Sequence, residues 1–213
     1  MKTCKAIIFD LDGVLVFTDH YHYLAWKKLA DRLGIPFDET VNNRLRGISR
    51  MASLEIILER YPGPELSLEE KKALAEEKNN DYRGLLGQMT PDSVTPQVRQ
   101  TLAELRRRGY RLAVGSSSKN ARTILERTNL LDAIDAVSDG SNITRSKPDP
   151  EVFLKAAQFL GVRPEACAVV EDAQAGIDAA LAGGMLAVGI GEAAEYEKTQ
   201  KPIREFRELL ELF

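Results

Sequence analysis

The run Ala6-Ile7-Ile8-Phe9, ending in Asp10-Leu11-Asp12-Gly13, constrains this chain more than any other stretch. It is short, wholly apolar and partly β-branched, as a strand buried on both faces must be. Strands of that kind belong to parallel sheets covered by helices on each side. Gly13 permits the sharp turn that must follow. Two carboxylates at the carboxyl end of such a strand stand where open α/β sheets bind their ligands. Their oxygens suit a hard cation such as Mg²⁺. One of them can serve as a nucleophile and the other as a proton carrier.

The remainder of the sequence fits such a sheet after an interruption. No strand pattern occurs from Tyr21 to Leu86. Three helices are predicted there: Tyr21–Leu33, stopped by Gly34; Ser49–Tyr61, closed by Pro62-Gly63-Pro64; and a charged helix from a Ser67/Glu70 capping box to about Leu86. Strand and helix alternate after Thr90-Pro91. Helices are expected over Pro96–Arg108, Asn120–Thr128, Pro150–Leu160, Ala173–Ala182 and Ile203–Phe213. Strands are expected over Tyr110–Val114, Ile134–Val137, Cys167–Val170 and Leu186–Ile190. Repeated βα units imply a doubly wound, Rossmann-like parallel sheet. The predicted organisation is an α/β core of residues 1–16 and 90–213 carrying an inserted all-helical domain at 17–89.

Composition narrows the function classes. With 44% hydrophobic and 29% charged residues the chain can bury an ordinary globular core. A net charge of -3 provides no general drive toward nucleic acid. The cluster Arg106-Arg107-Arg108 reads as the solvated end of a helix. No apolar stretch approaches the roughly 20 residues of a membrane span, and no basic region with an apolar signal core precedes the first strand. Cys4 and Cys167 are far apart, lack metal-ligand spacing and read as free thiols. The expectation is a cytoplasmic monomer with no nucleic-acid or membrane partner.

Three further motifs fall at the edges of predicted βα units. Ser116-Ser117-Ser118-Lys119-Asn120 follows a strand and opens a helix, where hydroxyls and amide N–H groups suit a phosphate. Ser146-Lys147-Pro148-Asp149-Pro150 precedes another helix, and its lysine can neutralise phosphate as a point charge. Val169-Val170-Glu171-Asp172 supplies two more carboxylates at a strand end. Each has a bland reading when taken alone: a turn, a flexible serine loop, a solvated lysine, a helix cap. Together, in this order and at these edges, they converge on one crevice.

The set resembles the haloacid dehalogenase superfamily of phosphotransferases along essentially the whole chain. The resemblance implies that Asp10 is a nucleophile that becomes an aspartyl phosphate and that Asp12 is the general acid/base. It assigns phosphate contacts to Ser116 and Lys147 and the Mg²⁺ site to Asp10, Asp12, Glu171 and Asp172. It makes the insertion a cap that closes over the core. Within the superfamily the cap is similar to that of the β-phosphoglucomutase family, on the segments Thr18-Asp19-His20-Tyr21-His22-Tyr23-Leu24-Ala25-Trp26 and Arg46-Gly47-Ile48-Ser49-Arg50. By this likeness His22 contacts Asp12, Trp26 lines the sugar site and Arg50 clamps the non-transferring phosphate. Thr18, Arg46, Gly47, Ile48, Ser49, Lys78, Asn79, Ser117, Ser118, Lys119 and Asn120 complete the substrate-binding set. Two positions depart from the family pattern: Arg46 stands where lysine is familiar, and Phe17 where an acid is familiar.

The activity so implied is isomerisation of β-glucose 1-phosphate and glucose 6-phosphate through β-glucose 1,6-bisphosphate. Two alternatives accompany it. A sugar-phosphate phosphatase would share the core motifs and differ in passing the phosphoryl group to water. A non-catalytic receiver-like signalling module would also cluster acids, a hydroxyl and a lysine, but such modules are smaller and lack the helical insertion.

Overall fold

The computed structural model describes residues 4–45 and 48–213. Among these described residues, six strands form one sheet: β1 (Ala6–Phe9), β2 (Arg111–Gly115), β3 (Ala136–Ser138), β4 (Cys167–Glu171), β5 (Leu186–Gly189) and β6 (Lys201–Pro202). All neighbours are parallel, in the order β3-β2-β1-β4-β5-β6. The chain therefore builds outward from β1 to one edge, then crosses to the other side of β1 at β4. That reversal makes the crevice between the carboxyl ends of β1 and β4 the topological switch point, the place where such sheets bind ligands. Register fixes what meets there. Phe9 lies opposite Val114 on one side and Val170 on the other. Asp10, Ser116 and the Glu171-Asp172 pair therefore leave the sheet at one edge.

The apolar strands are explained by helices on both faces. Ile7 and Phe9 pack with helices α5 (Pro96–Arg107) and α6 (Ala121–Arg127) and the short C-terminal α9 (Leu209–Leu212). Ala6 and Ile8 pack with α7 (Glu151–Leu160) and α8 (Gln174–Ala182). Each large side chain buried in these layers contributes roughly 1.5–3 kcal/mol of transfer free energy.

Between β1 and β2 lie α1 (Asp19–Arg32), α2 (Glu39–Asn43), α3 (Arg50–Leu58) and α4 (Leu68–Leu86), and no strand occurs there among the described residues. They bury a core of their own around Trp26, Leu29, Leu54 and Ile57. The Ser67/Glu70 capping box is formed, with Glu70 Oε2 accepting from Ser67 N at 2.8 Å. The far end of α4 leaves this small core: Tyr82 and Leu86 join Leu11 and Leu15 in the main one.

The structure corrects some expected boundaries. Ile203–Phe213 is not one helix. Ile203 N–H donates to Gly189 O at 2.8 Å, which prolongs strand-like pairing beyond β6, and only a 3₁₀ turn (Phe206–Glu208) and α9 follow. The strand expected at Ile134–Val137 lies at Ala136–Ser138, because Ile134 completes the 3₁₀ turn Leu131–Ala133. Helix α2 was not expected. Asp38 starts it by accepting from Val41 N at 2.9 Å, but five residues are too few to display helical periodicity. Both cysteines are free, as expected.

Candidate active site

Asp10 is the first residue past β1, held by its N–H to Val170 O at 2.9 Å. Its carboxylate accepts from Lys147 Nζ, and Lys147 also donates to Glu171 Oε1, so a single ammonium bridges the ends of the two central strands. Burial works against the Lys147 charge, but Asp10 and Glu171 outweigh it and hold the ammonium well above its ordinary pKa. Burial lifts Asp10 to about 7 against the pull of Lys147, and Glu171 adds to the lift. Burial, Glu171 and Asp10 together push Asp172 up to about 9.

Asp10, Glu171 and Asp172 each offer an oxygen within 4.8 Å of the others. Acids this crowded stay ionised together only if further positive charge joins Lys147, and an all-oxygen set suits a hard divalent cation. Glycines make room for the crowding. A Cβ on Gly13, whose φ is +84°, would stand 2.0 Å from Asp172 Oδ2, and one on Gly176 would stand 1.9 Å from the Glu171 carboxyl carbon. The residues present therefore fit a divalent cation. Glu171 is already committed on both oxygens, Oε1 to Lys147 and Oε2 to Ala173 N at 2.9 Å. Asp10 and Asp172 are left as the more available ligands.

Asp12 stands on the turn after β1, opposite the helical insertion. Thr18, fully buried, donates to Asp12 Oδ1 and accepts from Tyr82 OH at 3.1 Å. Burial raises Asp12 to about 6, with the Thr18 hydrogen bond pulling the other way. His22 stacks on Tyr82 with ring centroids 4.0 Å apart. Burial, Lys78 and Arg50 hold its pKa well below the usual value. Its Nδ1 lies 2.9 Å from Lys78 Nζ, within hydrogen-bond distance. Lys78 itself lies 4.6 Å from the centre of the Trp26 ring and 4.7 Å from that of Tyr82. Burial, aided by Arg50, brings its pKa down to about 7 against the attraction of Asp12.

The Lys78 shift has a measurable consequence. Between pH 7 and 10.5 the unfolded chain holds a proton on Lys78 that the folded chain has released. Stability therefore gains with rising pH in that window, by up to about 1.4 kcal/mol per pH unit from this group. Thermal unfolding of Lys78→Met should lack that contribution, so its Tm should fall behind wild type as pH rises through the window. Parallel curves for the two proteins would refute the shift.

All these groups except Thr18 and Glu171, which sit behind the wall, open on one cavity of about 730 Å³. At its other side Arg50, the first residue of α3, donates through Nη2 to Asn79 Oδ1 at 2.7 Å, and Asn120 Nδ2 donates to the same oxygen at 3.0 Å. The insertion and the core are thereby tied across the cavity. Ser116 Oγ accepts from Ser118 N at 3.2 Å, which leaves its O–H free to donate to a ligand. Ser117 Oγ is buried and has no hydrogen-bond partner among the described residues.

Of the residues assigned to substrate binding, Ile48, Ser49, Trp26, Lys78, Ser118 and Lys119 line the cavity, while Arg46 and Gly47 lie outside the described residues. His22 shares the cavity with Asp12, but its ring Nδ1 meets Lys78 Nζ. Sequence reasoning missed Tyr82, Ser53, Glu76 and Thr144, which also line it. Tyr82 carried a signal: it follows Lys78 by four residues and so shares its face of α4.

The sequence model of the haloacid dehalogenase-like hydrolases matches residues 4–184. A β-phosphoglucomutase from Bacillus subtilis is 45% identical over 190 residues, covering 88% of this chain and 84% of that protein. A phosphatase of phosphorylated carbohydrates from Thermotoga maritima is 32% identical, over 85% of this chain and 82% of its own length. The crystal structure of a β-phosphoglucomutase from Clostridium difficile superposes with a TM-score of 0.91 at 38% identity, covering 97% of this chain and 93% of that one.

Proposed function

Because this chain belongs to the haloacid dehalogenase-like hydrolase family, we propose that its site interconverts β-D-glucose 1-phosphate and D-glucose 6-phosphate, the activity of a β-phosphoglucomutase. One observation carries the reading: the Asp10–Lys147 centre and the Arg50–Asn79–Asn120 group share a single cavity. A mutase must hold both ends of a sugar bisphosphate, and polar residues await each end.

In this mechanism phosphorylated Asp10 passes its group to the 6-hydroxyl of β-glucose 1-phosphate while Asp12 takes that hydroxyl's proton. The β-glucose 1,6-bisphosphate then turns over in the cavity. Asp10 attacks the 1-phosphoryl group, and Asp12 returns the proton to the departing oxygen, giving glucose 6-phosphate and regenerating the phosphoenzyme. Lys147 and the Ser116 hydroxyl stabilise charge on the transferring oxygens, a contribution of positioning and electrostatics. Glu171 holds Lys147 in place. Thr18 and Tyr82 orient Asp12, and Arg50 and Lys119 anchor the phosphate that is not reacting. Residues 17–89 act as the cap that keeps water from the aspartyl phosphate.

Asp10 and Asp172, with the Asp12 backbone carbonyl and Glu171 nearby, are the residues that would hold Mg²⁺. Bound there, the ion would offset charge between carboxylate and phosphoryl oxygens. Chelation is accordingly expected to stop turnover and added Mg²⁺ to restore it. Full activity in excess chelator would end the metal assignment.

The decisive assay is purified protein with Mg²⁺, β-glucose 1-phosphate and a trace of the 1,6-bisphosphate. Glucose 6-phosphate as product supports the mutase. Stoichiometric free phosphate would replace it with the phosphatase.

A further inference from the structure

Helix α4 puts a carboxylate into the cavity that none of these steps uses. Glu76 lines the same cavity as Asp10 and stands three residues before Asn79. Its Oε2 pairs with Arg50 Nη1 at 3.0 Å, and its Oε1 accepts from Asn79 Nδ2 at 3.3 Å. The other Arg50 terminal nitrogen donates to Asn79 Oδ1 at 2.7 Å, so Arg50, Glu76 and Asn79 close a ring of hydrogen bonds. The Arg50 side chain is 23% exposed and that of Glu76 58%. Glu76 can thus swing into solvent while Arg50 stays in the wall.

An acid in this place opposes the job of an anion-binding wall. A phosphate reaching Arg50 meets a guanidinium already shared with a carboxylate, and the two anions repel. A dianionic phosphate can displace a singly charged carboxylate. A singly charged anion gains little by doing so.

We infer that Glu76 is a resident counter-ion for Arg50, competing with the non-reacting phosphate and loosening its grip. The inference rests on the mutase reading, because only a mutase must let each phosphate go and take up the other within one turnover. Grip that is equally strong in ground and transition states lowers KM without raising kcat. In a bisphosphate that has to turn over, excess grip slows the turning. By offering Arg50 a partner to return to, Glu76 makes release easier at the expense of affinity.

Glu76→Gln keeps the shape and the contact to Asn79 but removes the competing charge. Calorimetric titration with glucose 6-phosphate should then show a dissociation constant lower by about three- to fivefold, the scale of a half-exposed ion pair. In the mutase assay kcat and KM should fall together. A merely structural Glu76 would instead raise KM as kcat falls, and that result, or unchanged binding, would overturn the inference. The tightening must also vanish on an Arg50→Ala background; if it persists there, the effect is a general field and not competition for Arg50. If wild-type protein binds no glucose 6-phosphate, the mutase reading fails on its own account. The same comparison with inorganic phosphate then decides the role of Glu76: an Arg50-dependent gain upholds the counter-ion, and no gain overturns it.

Discussion

Asp10→Asn is expected to remove turnover altogether, a loss on the order of 10⁴-fold or more, as when a covalent nucleophile is deleted. An amide oxygen cannot take up the phosphoryl group, and no neighbour can substitute: Glu171 is spent on Lys147 and Ala173, and Asp172 is packed against Gly13. The fold should survive, and the metal-free protein should be slightly more stable. The sign follows from the environment of Asp10. Its pKa is raised from 3.8 to about 7 by burial and by Glu171, so its ionised form destabilises the folded state above that pH. Asparagine removes the charge, and Lys147 keeps Glu171 as its partner. Activity near wild type would strip Asp10 of its role. A Tm several degrees lower at neutral pH would mean that the Lys147–Asp10 contact outweighs the repulsion it offsets.

The second large effect is expected at Asp12. Asp12→Ala should lower mutase activity by on the order of 10²–10⁴-fold, the usual contribution of a positioned acid or base. The phosphoenzyme should still form from a reactive acyl phosphate, because an activated leaving group needs little protonation. Intact-mass measurement in the presence of Mg²⁺ reads this directly. A folded variant that takes up no phosphate would assign Asp12 to the first chemical event instead. The pH profile adds a second readout. With Asp12 raised to about 6, chiefly by burial, the wild-type mutase should lose rate as pH falls through that value and the base form disappears. Phosphoenzyme formation in Asp12→Ala should show no such dependence on Asp12.

Much of the core was legible because its signals are local. Ala6–Phe9 is too short and too apolar to be anything but a strand covered on both faces, and the residue after it must then lie at the sheet edge. Ser67 and Glu70 announce a helix start through two side-chain contacts within one turn. The same reasoning places Asp10, Ser116 and Glu171 together, since adjacent parallel strands of matched register end side by side. What escaped depends on contacts far apart in sequence. Thr18 could be taken for a ligand contact until Tyr82, on another helix, was seen to complete its link to Asp12. Arg50 looked like a free clamp until α4 brought Glu76 and Asn79 against it. The tail after Pro202 failed for a related reason. Arg108 donates to the carbonyls of Leu210 and Phe213 at 2.6 and 2.7 Å, and no pattern within the tail itself encodes that tether.

The central place of β1 also has a kinetic side. Ile7 pairs with Leu112 and Ala168, so the strand that ends at Asp10 finds its neighbours only after the whole helical insertion and most of the later chain have been made. Closing such distant pairs comes before any gain from them and slows folding. Until then a run of four apolar residues has both edges unpaired, which is the state in which growing chains associate wrongly. The helices between β1 and β2 bury a small core of their own around Trp26, Leu54 and Ile57, and that core needs none of these strand pairings. Seating β1 between β2 and β4 is therefore the step that joins the two halves of the sheet. The same event brings Asp10 beside Glu171 and Asp172, so chains caught before it are expected to be inactive.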